Sequence, residues 1–239
     1  MGRVVIFLCV LLGLAAASGW IGRLVRAMGP EYTVDERLEQ FEDDVRARLR
    51  ADFERCGVRW PAQELALVAF KRERRLEAWV REGAQADWVR LRDWPVQAAS
   101  GELGPKLREG DRQVPEGLYR VESLNPNSRF HLALRVSYPS EQDRQRAAID
   151  GRTELGGDIM IHGSDRSVGC LAMGDAAAEE LFVLVARAAG QTARVLIAPC
   201  DLRVGPGPEE PRDWVRNRYA ELREALKDFP PVGQGSSGQ

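Results

Sequence analysis

Ile161-His162-Gly163-Ser164-Asp165-Arg166-Ser167-Val168-Gly169-Cys170-Leu171-Ala172-Met173 holds one of two histidines and one of four cysteines, eight positions apart, with a glycine beside each. A cysteine becomes a useful nucleophile when an imidazole or a helix N-terminus favours its thiolate. Glycine lets the backbone make tight turns and approach a substrate closely. Upstream, Gly156-Gly157-Asp158-Ile159-Met160-Ile161 reads as a buried strand with His162 at its end. Downstream, Asp175 is a plausible N-cap, and Ala176 to Ala189 is apolar nearly all round and stops at Gly190, a helix packed inside the domain. The stretch is therefore a strand–loop–helix connection, with Cys170 near the positive end of the helix dipole. Its chemistry is that of a Cys/His acyl-transfer site. His162 would take the thiol proton and return it to a leaving amine, and backbone N–H groups around Val168, Gly169 and Cys170 would form an oxyanion hole. No Asp or Asn is placed by spacing to orient the histidine, so the Gly163 carbonyl is the candidate. A structural cysteine near a chance histidine remains the equal alternative from these residues alone. His162 and Cys170 lack two further ligands at metal-site spacing, so no metal is expected, and no cofactor is implied.

The flanking chain supplies the rest of a domain. Leu65 to Phe70, Leu76 to Val80 and Ala86 to Leu91 read as strands of a meander, with Glu82-Gly83-Ala84 as one turn. Residues 100–119 carry several glycines and prolines, which forbid a helix and mark a long structured loop. Tyr119 to Leu124 reads as a strand closed by Asn125-Pro126-Asn127. Phe130 to Val136 alternates, with Phe130, Leu132, Leu134 and Val136 on one face and His131 and Arg135 on the other. His131 is open between a substrate contact and an ordinary strand histidine. Tyr138-Pro139 ends that strand, Ser140 to Arg146 is a loop or short helical turn, and Arg194 to Ala198 is a last strand. Two amphipathic helices flank this unit. One covers 33–57, with Val34, Leu38, Phe41, Val45, Leu49 and Phe53 in its stripe. The other covers 211–230, with Val215, Tyr219, Leu222, Leu226 and Phe229 in its stripe. Residues 231–239 read as a disordered tail.

Composition narrows the class. Thirty-four Lys+Arg against thirty-six Asp+Glu give a net charge of −2, no basic surplus for nucleic acid. Arg3, the apolar run Val4 to Leu14 and the small residues after it resemble a secretory signal over residues 1–22. Extended through Ile21, residues 4–21 approach the length of a retained inner-membrane anchor. Export is expected in both cases. Cys56, Cys170 and Cys200 are then an odd number, so at least one thiol is free or pairs between molecules. Cys56 and Cys200 either pair or act as buried small hydrophobes.

The motif Ile161-His162-Gly163 … Ser167-Val168-Gly169-Cys170 resembles the active-site signature of the YkuD-type L,D-transpeptidases, bacterial cell-wall enzymes. The resemblance extends over about residues 64–200. It takes in Phe70-Lys71, Ser100-Gly101 … Gly104-Pro105-Lys106, Gly110-Asp111, Val114 to Tyr119, Asn125-Pro126, Phe130-His131-Leu132, Tyr138-Pro139, Gly151-Arg152 and Gly157 to Gly163. It implies a mainly β (α+β) domain, a twisted β-sandwich or partly closed barrel with one internal helix and flanking N- and C-terminal helices. It implies a Cys170 thioester formed at a diaminopimelate carbonyl of a peptidoglycan stem peptide and passed to an amine or to water. His162 carries over as proton acceptor and donor, Gly163 as its orienter, and Ser167, His131, Lys106 and Arg152 as motif and groove positions. Three departures stand out: Val168 where many members have histidine, Ala172 where many have Arg or Asn, and a short His-to-Cys interval. They resemble a sub-branch that includes a hydrolase releasing a wall-linked lipoprotein. A periplasmic location follows, with peptidoglycan as the partner and the lipoprotein as a further one. A non-catalytic peptidoglycan-binding protein and a redox protein using Cys170 and Cys200 are the rival classes.

Overall fold

Leu65 to Phe70 shows no polar–apolar alternation because this strand is buried on both faces, the pattern of a strand sandwiched between two layers. In the computed structural model of the protein, residues 31–188 and 193–231 are described. The chain runs α1 (Val34–Cys56), β1 (Glu64–Phe70), β2 (Arg75–Arg81), β3 (Val89–Pro95), β4 (Ala98–Ala99), β5 (Gly117–Ser128), β6 (His131–Val136) and α2 (Glu141–Ile149). It continues through β7 (Met160–His162), β8 (Leu171–Ala172), α3 (Asp175–Arg187), β9 (Arg194–Ala198) and α4 (Asp213–Ala225), then a 3-10 turn at Leu226–Asp228. The expected leader or anchor, the Gly190 helix stop and tail residues 232–239 lie outside the described residues. Among the described residues no helix is long and apolar enough to cross a membrane.

The strands form one mixed sheet in the order β3-β2-β1-β9-β5-β6-β7-β8-β4. Its two edge strands, β3 and β4, are joined by only Val96 and Gln97. Adjacent Cα atoms are about 3.8 Å apart, so this link forces the sheet edges together. The sheet must curl into a partly closed barrel. Val96 and Gln97 bridge the seam, their N–H groups donating to Arg74 O and Ala172 O, both at 2.8 Å.

Two apolar layers cover the sheet. On one side Leu65, Leu67, Leu132, Leu134 and Ile161 meet Leu38, Val45 and Leu49 of α1 and Leu181 and Val185 of α3. On the other, Ala66, Val68, Phe70, Leu196 and Trp79 meet Val215, Tyr219, Leu222, Leu226 and Phe229, the stripe read from the sequence. Each fully buried large side chain stabilises the fold by roughly 1.5–3 kcal/mol against exposure. The C-terminal segment is therefore part of the core. Gly57, with φ +67, ends α1 as a left-handed C′ residue.

Several element boundaries differ from the sequence reading, and four of them have a visible physical reason. β3 lies at Val89–Pro95, because Arg92 is partnered by Asp52 (2.5 Å) and Glu180 (3.2 Å) on the helical layer. β5 continues through Asn125-Pro126-Asn127 because the ladder bulges between Asn125 and Ser128, where proline's missing donor is tolerated. Ser140 opens a full helix, α2, through a capping box with Asp143 that the low apolar content concealed. β7 starts only at Met160, since Gly156 (φ +72) and Asp158 (φ +54) are left-handed and cannot extend a strand.

Candidate active site

Strand pairing brings the His162 and Cys170 segments together. β7 and β8 are parallel, with Ile161 opposite Leu171 and His162 opposite Ala172, and Cys170 directly precedes β8. Ile161 and Leu171 point into the core. With a side-chain period of two, His162 projects to the other face of its strand.

His162 is held by two contacts. Its Nδ1 lies 2.6 Å from Gly163 O. A carbonyl only accepts, so Nδ1 carries the proton and Nε2 of the neutral ring is the acceptor. Phe130 stacks on the imidazole with centroids 4.7 Å apart and planes 25° from parallel. The histidine is 2% exposed. Burial lowers its pKa below the ordinary imidazole value, and the Gly163 carbonyl opposes this only in part. Gly163 itself is required by space: a Cβ there would lie 2.6 Å from Asp175 Oδ1, 2.7 Å from Phe130 O and 3.0 Å from His131 Cβ.

The loop that carries Cys170 is braced by hydroxyls. Ser167 Oγ accepts from Cys170 N (3.0 Å) and donates to Cys170 O (2.5 Å). Ser100 Oγ accepts from Gly169 N (2.6 Å) and donates to Arg112 O (2.7 Å). The Gly169 and Cys170 N–H groups, expected to face an oxyanion, are thus occupied by serine hydroxyls; an oxyanion there must displace them. Between Cys170 and Asp175, the first residue of α3, stand β8, Met173 and Gly174. The start of α3 serves Ser164, whose N–H donates to Asp175 Oδ1 at 2.7 Å. Cys170 Sγ donates to Asp158 O at 3.6 Å. Burial raises the thiol pKa above its ordinary value. The Met160 N–H opposes that rise, the Asp158 carboxylate adds to it, and the Lys106 cation works against it. Both shifts favour the uncharged thiol and imidazole, so the pair rests neutral.

The remaining sequence candidates divide. Lys106 Nζ is buried on Asp111 Oδ1 (2.6 Å) and Arg108 O (2.9 Å), inside the loop next to Gly169. Burial pushes the Asp111 carboxyl up, but Lys106 and the N–H groups of Arg108, Leu107 and Gln113 outweigh it and hold it low. Arg152 is committed to Asp150 (2.9 Å) and Leu107 O (3.0 Å) and lines a cleft of about 700 Å³ with Arg108, Asp111 and Glu154. His131 is turned to the helical layer: its Nε2 lies 3.0 Å from Glu179 Oε1, and its ring meets Phe41 edge-on. A groove position for His131 is corrected to this packing contact. Val168 is 71% exposed at the loop tip. Cys56, Cys170 and Cys200 are all free thiols.

Four contributors were not assigned to the site from sequence. They are Phe130 on His162, Ser100 on Gly169, the Asp158 carbonyl on Cys170, and Asp175 on Ser164. Ser100 and Phe130 carried a signal, since both sit in the motifs quoted above. Asp158 acts through its backbone and left none.

The family described as YkuD, the L,D-transpeptidase catalytic domain, matches residues 65–197. The chain is 37% identical over 166 residues to YafK of Escherichia coli (strain K12), named as a candidate L,D-transpeptidase. That match covers 68% of this chain and 62% of YafK. The same protein of Escherichia coli O157:H7 matches equally. The chain thus spans less than two thirds of these curated relatives. Among solved structures, the helical cell shape determining protein Pgp2 from Campylobacter jejuni is 19% identical with TM-score 0.46, covering 64% of this chain and 55% of that one. Mycobacterium tuberculosis L,D-transpeptidase 1 is 18% identical with TM-score 0.32, covering 56% of this chain and 62% of that one.

Proposed function

The chain belongs to the YkuD family of L,D-transpeptidase catalytic domains, and from that premise we propose that it is a cysteine acyl-transfer enzyme acting on peptidoglycan stem peptides. Cys170 is the nucleophile and His162 the general base. The observation that carries this reading is the histidine whose Nδ1 lies 2.6 Å from Gly163 O, leaving Nε2 to accept, on a strand paired with the one that directly follows Cys170.

The steps follow from that arrangement. Because burial keeps the resting pair uncharged, the thiol proton moves to Nε2 as Sγ attacks the diaminopimelate carbonyl carbon. The tetrahedral intermediate collapses as the carbon–nitrogen bond breaks, and the imidazolium protonates the leaving amine. Water or an acceptor amine then gives its proton to Nε2 and attacks the thioester carbon, the carbon–sulfur bond breaks, and the imidazolium returns the proton to the leaving thiolate. Gly163 orients the histidine. Val168 and Gly169 border the developing oxyanion, and Ser167 fixes the loop. Lys106 and Arg152 set the form of the adjoining groove. The N-terminal residues serve as an export signal or inner-membrane anchor, which puts the domain in the periplasm beside its substrate. A wall-linked lipoprotein is a second substrate of the hydrolytic branch.

Incubation with disaccharide-tetrapeptide and with whole sacculi, followed by mass spectrometry, tests the proposal. A Cys170 adduct with a cleaved or cross-linked product is expected, and it is lost in Cys170→Ala. Identical behaviour of the two proteins sinks it. A wall-binding protein without turnover is the second reading, supported by the occupied N–H groups of Gly169 and Cys170. It predicts muropeptide binding with no adduct.

A further inference from the structure

His162 ends a strand and borders a loop, yet it is almost fully buried, while Phe130 covering it is 42% exposed. One aromatic ring is the layer between imidazole and solvent on that side. Phe130 lies in the turn between β5 and β6, and three contacts fix its place. Its N–H donates to Ser128 Oγ at 3.0 Å. Its carbonyl oxygen abuts Gly163, where a Cβ would approach it to 2.7 Å. The next residue, His131, has φ +70 and is tied to Glu179 and Phe41.

The hydrogen bond to Gly163 O acts in the plane of the imidazole and sets rotation within that plane. It leaves tilt out of the plane loosely determined, and a stacked ring at 25° supplies that constraint. We propose that Phe130 is a positioning residue for His162, fixing the tilt of its ring and withholding solvent from its face. This rests on the proposed role of His162 for its kinetic consequence, but not for its spectroscopic one.

Two effects of the phenyl face oppose each other. A π-face attracts an imidazolium and favours protonation; exclusion of water disfavours the charged form. Burial is the dominant influence on His162, so removing the ring should raise its pKa. Asp175 at the start of α3, Cys170 beside β8 and the Glu179–His131 pair behind Gly163 are the titratable groups around it. All remain in the variants.

The experiment follows the His162 imidazole by NMR titration in the full protein and in Phe130→Ala, Phe130→Leu and Phe130→Tyr, alongside kcat and KM on stem peptide. Phe130→Ala should move the titration midpoint up toward the ordinary imidazole value and lower kcat about tenfold at unchanged KM, an effect of misplacement. Phe130→Tyr should match the parent in both. Should Phe130→Ala fail to fold, Phe130→Leu keeps apolar cover without a flat face and should lose severalfold in kcat. An upward-moved midpoint without turnover in any protein, parent included, would refute the proposed enzyme activity and leave this inference standing. A lowered melting temperature with midpoint and kcat unchanged in Phe130→Ala and Phe130→Leu overturns it.

Discussion

Replacing Gly163 by alanine adds one methyl group where three neighbours already stand. Its carbon would lie 2.6 Å from Asp175 Oδ1, 2.7 Å from Phe130 O and 3.0 Å from His131 Cβ. None of these can retreat freely. Asp175 is held by the Ser164 N–H (2.7 Å), Phe130 O is backbone, and His131 is anchored on Glu179 (3.0 Å). Overpacking a tight site costs about 1–3 kcal/mol, and contact with fixed backbone puts this case near the upper end. A domain of roughly 200 residues loses about 2–4 °C per kcal/mol, so thermal unfolding should move down by about 6–12 °C. The same displacement moves the Gly163 carbonyl bonded to His162, and with His162 as the proposed base a shift of about 1 Å would cost on the order of a hundredfold in rate. Thermal melts read the first effect and muropeptide turnover the second. A variant melting within about 1 °C of the parent, with unchanged kcat, would refute the claim that crowding at this position requires glycine.

Lys71→Met should destabilise by about 3–5 kcal/mol in urea unfolding. It leaves Glu116 buried without the ammonium 2.9 Å away and strips the carbonyls of Gly104 and Val114 of their donor. Alkylation of Cys170 by iodoacetamide should rise with pH through a midpoint above the ordinary thiol value. Asp158→Asn should move that midpoint down, since the carboxylate opposes the thiolate. Because His162 must be neutral to accept a proton and burial lowers its pKa, kcat/KM should persist below the ordinary imidazole pKa before falling with acid. A profile that falls above that value contradicts the assignment. Ser100→Ala frees the Gly169 N–H and should lower stability by about 1 kcal/mol, seen as a few degrees in a thermal melt.

Alternation and apolar stripes made most of the fold legible. β6 and the faces of α1 and α4 follow from local periodicity, and β1, β2 and β9 from short apolar runs, since burial of one face or of both leaves a trace in the residues themselves. The motif around Gly163 and Gly169 identified Cys170 and His162 because close backbone approach demands glycine at fixed spacing. α2 was lost because two polar residues cap it and few apolar ones advertise it. β5 ran on past Pro126 because a bulge absorbs what a regular ladder would not.

What the sequence by itself determined is the β framework and the family, and with them the proposed pair Cys170 and His162. Only the tertiary structure decided their state. Covering His162 with Phe130 and partly burying Cys170 shift both toward the uncharged form. Ser100 and Ser167 occupy the N–H groups that spacing offered to an oxyanion. The Phe130 and Ser100 contacts join atoms far apart in sequence, and desolvation and hydrogen-bond occupancy are set by such meetings, not by residue order.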